Sequence, residues 1–252
     1  MSQSQAAPLT APRDVVVVGA TSAVAQAAIR HWAHQRARLV LVGRNRDALE
    51  RVAADARLRG AASVDTQVGD LADTAFIETV CAIASPTIAL IAHGSLSDSA
   101  RSEASAQYLE YELTLNFVSA AQWVQQLALA CERAGGGTVV AISSVAGDRG
   151  RGSNHVYGAA KAGLSAFCSG LRARMATRGV HIMTVLPGFI DSPMTAHIAN
   201  KGALWTTPET IAQGIIRAIT RQRDVVYLPG FWRLIMLIIK HVPERIFKRL
   251  KF

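Results

Sequence analysis

The sequence predicts an α/β fold: a doubly wound sheet of seven parallel strands with helices on both faces, in a single domain. Three observations predict it. Short apolar runs rich in Val, Ile and Leu recur without polar alternation, as strands buried on both faces require. Each run leads into a longer segment of helical character, the alternation that builds a parallel sheet through crossovers. Finally, 252 residues, 50% of them hydrophobic, suffice for one large core, and no repeat or Pro/Gly/Ser-rich linker divides them.

The first strand, 15–18, is four consecutive valines, and a glycine-containing turn leads from it into an Ala-rich helix over 23–34. Strand 39–42 precedes helix 47–59, strand 64–68 precedes helix 73–84, and strand 87–92 precedes a long helix over 104–131. The triplet Gly135, Gly136, Gly137 turns the chain into strand 138–142, which is followed by helix 156–177. Strand 181–185 precedes helix 208–222, and strand 225–228 closes the series. In such a sheet ligands bind at the carboxyl ends of the strands.

Residues 1–12 are small and polar and lack the basic start and apolar run of a signal peptide, so a flexible tail on a cytoplasmic protein is expected. Cys81, Cys131 and Cys168 are scattered among apolar residues and read as core residues in a reducing compartment. His31 and His34 share a helix face but have no carboxylate or cysteine partner in sequence, so no metal site is expected.

Gly19, Ala20, Thr21, Ser22, Ala23, Val24 and Ala25 follow the first strand and open the first helix, where free N–H groups and the helix dipole favour a pyrophosphate. A dinucleotide turn of this Rossmann type commonly has three glycines. Here only Gly19 is kept, and Ala23 and Ala25 take the other places. After the second strand, where an NAD site commonly has Asp or Glu, stand Gly43 and Arg44. Arg46, Arg36 and Arg38 are taken to add charge nearby, which favours NADPH over NADH, although Arg44 is also compatible with a solvated loop. Asp70 and Leu71, after the third strand, are placed to contact adenine.

The chemistry is carried by Tyr157 and Lys161 with Ser144 upstream. Helix positions i and i+4 share a face, so the Lys161 ammonium can lie beneath the Tyr157 hydroxyl and favour its ionisation. A phenol with a pKa of about 10 is a weak proton donor at neutral pH, and a fixed cation corrects this. Ser144 ends the strand over 138–142 and faces the tyrosine. His93 and His155 read either as pocket residues or as satisfied structural histidines.

Taken together, the turn at Gly19, Asn116 after the fourth strand, Ser144, Tyr157, Lys161 and the pair Pro187, Gly188 resemble the short-chain dehydrogenase/reductase family, over residues 15–228. The resemblance implies an NAD(P)-dependent oxidoreductase domain over 13–230 that exchanges hydride with a carbonyl. It implies that Tyr157 is the acid, that Lys161 lowers its pKa and holds the cofactor ribose, that Ser144 bonds the carbonyl oxygen, and that Asn116 positions a relay water. It also implies cofactor contacts from Ala92, Gly94, Pro187, Gly188, Ile190 and Ser192, and a homodimer or homotetramer. The family's Asn-Asn-Ala-Gly after strand four is here Ile91, Ala92, His93, Gly94. A non-catalytic cofactor-binding scaffold is the competing class, and the presence of both Tyr157 and Lys161 speaks against it.

The extension 231–252 is apolar and basic. Nine Lys or Arg and two acidic residues lie in 217–252, against a formal charge of +9 for the whole chain. Its apolar run is too short to span a bilayer, which takes roughly 20 residues. Two readings stand: an interfacial helix on an anionic membrane, or a helix packed at a subunit interface. No nucleic-acid motif accompanies the charge, so no nucleic-acid partner is expected. Within the family the tail, with Arg233, Leu234, Ile235, Met236 and Lys240 to Lys248, resembles that of the decaprenylphosphoryl 2-keto-erythro-pentose reductases. That resemblance implies a keto-sugar substrate carried on a polyprenyl phosphate. A soluble ketone, a 3-oxoacyl group or a steroid-like ketone is the alternative.

Overall fold

The computed structural model describes residues 13–250; the tail expected over 1–12 lies outside the described residues. The strands β1 (Asp14–Val18), β2 (Arg38–Gly43), β3 (Ser63–Val68), β4 (Ile88–Ile91), β5 (Gly137–Ile142), β6 (Val180–Pro187) and β9 (Val225–Leu228) form one seven-stranded sheet. Every pairing in it is parallel, in the order β3-β2-β1-β4-β5-β6-β9. The order reverses between β1 and β4, so the crevice where ligands bind opens at their carboxyl ends.

Side chains alternate across this sheet with the period of a strand. Val15 and Val17 join Leu39 and Leu41 in a core beneath α1 (Ala23–His34), α2 (Arg46–Leu58) and α8 (Pro208–Thr220). Val16 and Val18 face the other way, into a core with α3 (Thr74–Ile83), α6 (Ser119–Arg133) and α7 (His155–Met175). All three cysteines are buried thiols. Local chemistry sets the helix starts: Ser22, Asn45 and Asp73 each accept a hydrogen bond from a first-turn N–H of the helix that follows.

Two segments differ from expectation. The long helix expected over 104–131 starts after Ser105 and runs as α5 (Ala106–Leu113), a π-helical turn at Thr114–Val118 and α6, and a separate short helix, α4 (Ser99–Ala104), precedes it. Ser105 is extended and caps α5 through Tyr108 N–H at 3.2 Å, which breaks the chain after Ala104. The loop after β6 contains a small parallel pair, β7 (Phe189–Ile190) with β8 (Trp205–Thr206), too short to leave a periodic signal. The tail folds back as α9 (Trp232–His241) and α10 (Glu244–Phe247). Trp232 and Met236 join Val145 and Leu186 in a third, smaller core.

Candidate active site

One cavity of about 800 Å³ runs across the carboxyl ends of the strands. Gly19 begins its wall at φ +76°, and a Cβ there would lie 2.6 Å from the backbone N of His93, so only glycine lets the first turn close against the end of β4. Gly19 and Ala20 N–H groups donate to Val42 O, at 2.9 and 3.1 Å, which fixes the turn to β2. Thr21, Ser22, Ala23 and Val24 continue the wall at the start of α1; the Ser22 hydroxyl is engaged by Ala25 N–H at 3.2 Å.

Arg44 and Leu71 line one end of this cavity, Ala92 and Gly94 its floor, and Pro187, Gly188, Ile190 and Ser192 its far wall. Asp70 stands apart: it is exposed, is not part of the lining, and accepts Ala72 N–H at 3.0 Å. Arg36 and Arg38 also fall elsewhere. Arg38 begins β2 and pairs with Asp14 at 2.6 Å, whereas Arg44 follows the strand's other end, roughly 20 Å along. Arg46, in the first turn of α2, is also outside the lining, so of Arg36, Arg38, Arg44 and Arg46 it is Arg44 that lines the cavity.

At the reaction end, two side chains clamp α7 onto the end of β5. The Ser143 hydroxyl donates to Lys161 O at 2.9 Å, and the Lys161 ammonium donates to Ile142 O at 3.0 Å. Gly147 and Gly158 allow this closeness, since a Cβ on either would meet backbone at 2.7 and 3.0 Å respectively. Ser144 accepts Ala146 N–H at 3.1 Å and hydrogen-bonds the Tyr157 phenol. Lys161 lies 5.7 Å from the Tyr157 ring centroid, on the same helix face.

Burial pushes the Tyr157 pKa up, and the hydrogen bond from Ser144 opposes it. Burial also brings Lys161 down to about 8.

Asn116 is fully buried in the π-helical turn. Its Oδ1 accepts Ser95 N–H at 3.0 Å, and its Nδ2 donates to the Glu112 backbone oxygen at 3.1 Å and carboxylate at 3.0 Å. The same carboxylate accepts the hydroxyls of Ser95 and Ser97, at 2.7 and 2.9 Å. Asn116 Oδ1 and Lys161 Nζ approach Gly94 from two sides, 2.7 and 3.6 Å from where its Cβ would be. Glu112 carried no signal in sequence; its role depends on the extra residue in the turn. His93 is buried in the cavity wall with Nε2 at 2.9 Å from Ser119 Oγ, and burial, then Lys161 and Arg44, lowers its pKa to about 3. His155 is exposed and outside the lining.

The described part of the tail backs the wall of the site without lining the cavity. Trp232 sits edge-on to Phe189 at 5.2 Å, and Phe189 stacks on Trp205 at 5.4 Å. Arg151, which lines the cavity, reaches Met236 Sδ at 3.7 Å, and Arg149 bonds Glu244 at 2.7 Å while lying 4.3 Å over the Phe247 ring.

The sequence profile of the short chain dehydrogenases matches residues 13–202. The chain belongs to the short-chain dehydrogenase/reductase family. Full-length relatives of this family agree with the match: an uncharacterized oxidoreductase of Mycobacterium tuberculosis is 34% identical over 246 residues, 96% of this chain and 98% of its own. A second, of Streptomyces coelicolor, is 34% identical over 244 residues, 95% and 96% of the two chains. Among solved short-chain dehydrogenases, one from Sphingobium yanoikuyae in complex with NADPH has a TM-score of 0.78 at 21% identity, covering 93% of this chain and 97% of its own. One from Burkholderia cenocepacia in complex with NADP has a TM-score of 0.76 at 17% identity, covering 92% and 98%. These two establish the shared fold.

As a short-chain dehydrogenase/reductase the chain is an oxidoreductase, and its cavity fits a nicotinamide dinucleotide. The glycine turn brings free N–H groups of α1 to the wall, and among the described residues no Asp or Glu lines the cavity to repel phosphates. Gly19, Thr21, Ser22, Ala23 and Val24 would hold the pyrophosphate and Lys161 the ribose.

Proposed function

We propose that this enzyme is an NADPH-dependent carbonyl reductase whose substrate is a keto-sugar on a polyprenyl phosphate, met at the inner face of the cell membrane. The observation that carries the reductase reading is the convergence of Ser144, Tyr157, Lys161 and Asn116 on one end of one cavity. A bound nicotinamide dinucleotide supplies the hydride. Tyr157 gives its proton to the carbonyl oxygen as the carbon is reduced, and the Ser144 hydroxyl, beside the phenol, turns its own proton from the phenol to that oxygen as charge gathers on it. Lys161 returns a proton to the phenolate. Asn116, held by Ser95 and Glu112, orients the groups through which Lys161 is reprotonated.

Arg44 supports the NADPH preference, since its guanidinium lines the cavity where a 2′-phosphate would need a cation, and the two solved relatives above were obtained with NADP or NADPH. The tail supports the membrane reading. Phe231, Leu234, Leu237 and Ile238 project from α9 with exposures of 44 to 64%, beside Arg233 and Lys240. Among the described residues no helix is long and apolar enough to cross a membrane. A soluble bulky ketone is the second reading, favoured by Leu96, Met194 and Ile198 in the cavity wall. We include a homodimer or homotetramer in the proposal, with exposed Tyr111 and Val118 as apolar surface for it.

Tyr157→Phe is expected to lower turnover by about 10²–10⁴-fold while leaving NADPH binding intact. Retained turnover would sink the acid assignment. The membrane part is tested by flotation with anionic vesicles. The triple variant Leu234→Ser, Leu237→Ser, Ile238→Ser should stay in the pellet and the parent should float; equal flotation removes this part and leaves the soluble ketone.

A further inference from the structure

A second cavity, of about 560 Å³, opens beside the Arg44 end of the first and shares Arg44 and Leu115 with it. Its remaining wall comes from the segment after β4, with Arg101 of α4 and Tyr108 and Glu112 of α5 among the lining. Two guanidiniums thus stand in the wall of one space. Arg44 arrives from the loop after β2 and Arg101 from a helix on the far side of β1 and β4, so only the folded sheet brings them together.

Arg30, Arg38, Arg59, Arg149 and Arg178 each pair with a carboxylate, but among the described residues neither Arg44 nor Arg101 makes an ion pair or donates a side-chain hydrogen bond. Asp98 accepts the main-chain N–H of Arg101 at 3.1 Å, which starts α4 and leaves the guanidinium out of the cap. That guanidinium lies 4.2 Å over the Tyr108 ring, and stacking by its face keeps the N–H donors of its edge open. Tyr108 is held in turn: its N–H donates to Ser105 Oγ and its hydroxyl accepts Asp98 N–H, both at 3.2 Å. Glu112 is the acidic residue of this lining. It is buried, and its Oε2 already accepts Ser95, Ser97 and Asn116. The space therefore holds two unpaired cations against one carboxylate engaged by three donors.

We infer that Arg101 is a specificity-determining residue for the cofactor, the second cation for the 2′-phosphate of NADP(H), which sits between Arg44 and Arg101 where the two cavities meet. The inference rests on the NADPH reading and adds to it a residue from an element other than the loop after β2, where such a cation is commonly sought. A phosphate monoester carries a charge of about −1.5 to −2 at neutral pH, so one guanidinium leaves part of it uncompensated and two match it. Each guanidinium offers paired N–H donors to the phosphate oxygens. NADH has a hydroxyl at that position and gains nothing from the second cation.

Fluorescence titration of the full chain with NADPH and with NADH tests this without any substrate. Arg101→Ala should raise the Kd of NADPH by about fivefold or more and leave that of NADH within about twofold, and Arg101→Lys should keep part of the NADPH advantage. Calorimetry with 2′,5′-ADP and 5′-AMP, which lack the nicotinamide end, should show the same selective loss. Unchanged NADH binding also reports that the variant is folded. A ratio of the two cofactor affinities unchanged in Arg101→Ala overturns the inference, and so does an equal loss for both, the sign of a merely structural role. Failure of the NADPH reading shows differently: the parent protein then binds NADH as tightly as NADPH, which removes both.

Discussion

Trp232 fills the space that a β-carbon on residue 188 would need: an ideal Cβ at Gly188 would lie 1.8 Å from the indole Nε1. Helix α9 is thus fitted against the turn that follows β6, on the wall of the reaction cavity. Gly188→Ala should cost about 1–3 kcal/mol by overpacking, seen as a melting temperature lower by roughly 2–10 °C. Trp232→Ala should also destabilise, but the double variant should be less unstable than the two losses added, because the clash has gone. Strict additivity in thermal melts would mean that the two residues do not share this space.

Arg44 should govern cofactor choice. Arg44→Ser removes a charge-assisted contact worth about 1.5–3 kcal/mol, so KM for NADPH should rise by roughly 10–100-fold. KM for NADH should change little. Steady-state rates with both cofactors check this, and parallel changes in the two would place the 2′-phosphate elsewhere.

Lys161, with its pKa brought down to about 8 by burial, holds fewer protons in the folded chain than in the unfolded chain, whose lysine titrates at 10.5. Stability should therefore rise with pH through this group between about 8 and 10.5. The buried thiols of Cys81, Cys131 and Cys168, with raised pKa values, pull the other way at higher pH. The urea midpoint of the parent minus that of Lys161→Met isolates the lysine, and this difference should rise with pH through the window; a flat or falling difference would contradict the lowered pKa.

His93 predicts an acid limb. Its pKa is lowered to about 3 from 6.5, so the unfolded chain binds the proton first as pH falls. Its contribution is intact above about pH 6.5 and is lost on the way down to about 3, with a slope of up to about 1.4 kcal/mol per pH unit. His93→Gln should flatten the fall in urea midpoint between pH 6.5 and 4.5, and an unchanged fall would assign the acid sensitivity to other groups.

What could be read in the chain alone was whatever local chemistry sets. The four valines of β1 and the cap at Ser22 make a strand, a turn and a helix with no help from elsewhere, and α1 has the bounds the sequence predicts. Tyr157 and Lys161 share a helix face by spacing alone. Arg151 and Trp232 were different: they owe their places to Met236 and Gly188, which meet them only after the tail has folded back. Arg36 and Arg38 misled for a related reason. Nearness in sequence to Arg44 concealed a whole strand's length between the two ends of β2.

The π-helical turn at Thr114–Val118 makes chain length, at this one place, a structural variable in its own right. A π turn takes up one residue more than an α turn within the same helix, so deleting a single residue between Glu112 and Asn116 would restore regular winding while α5 and α6 keep their faces, and would leave those two side chains three positions apart. The bond from Asn116 to the Glu112 carboxylate, the acceptor that Ser95 and Ser97 share, would be the one displaced. A one-residue deletion should thus spare the helix and disturb this one network, an outcome that scans which only exchange side chains would miss.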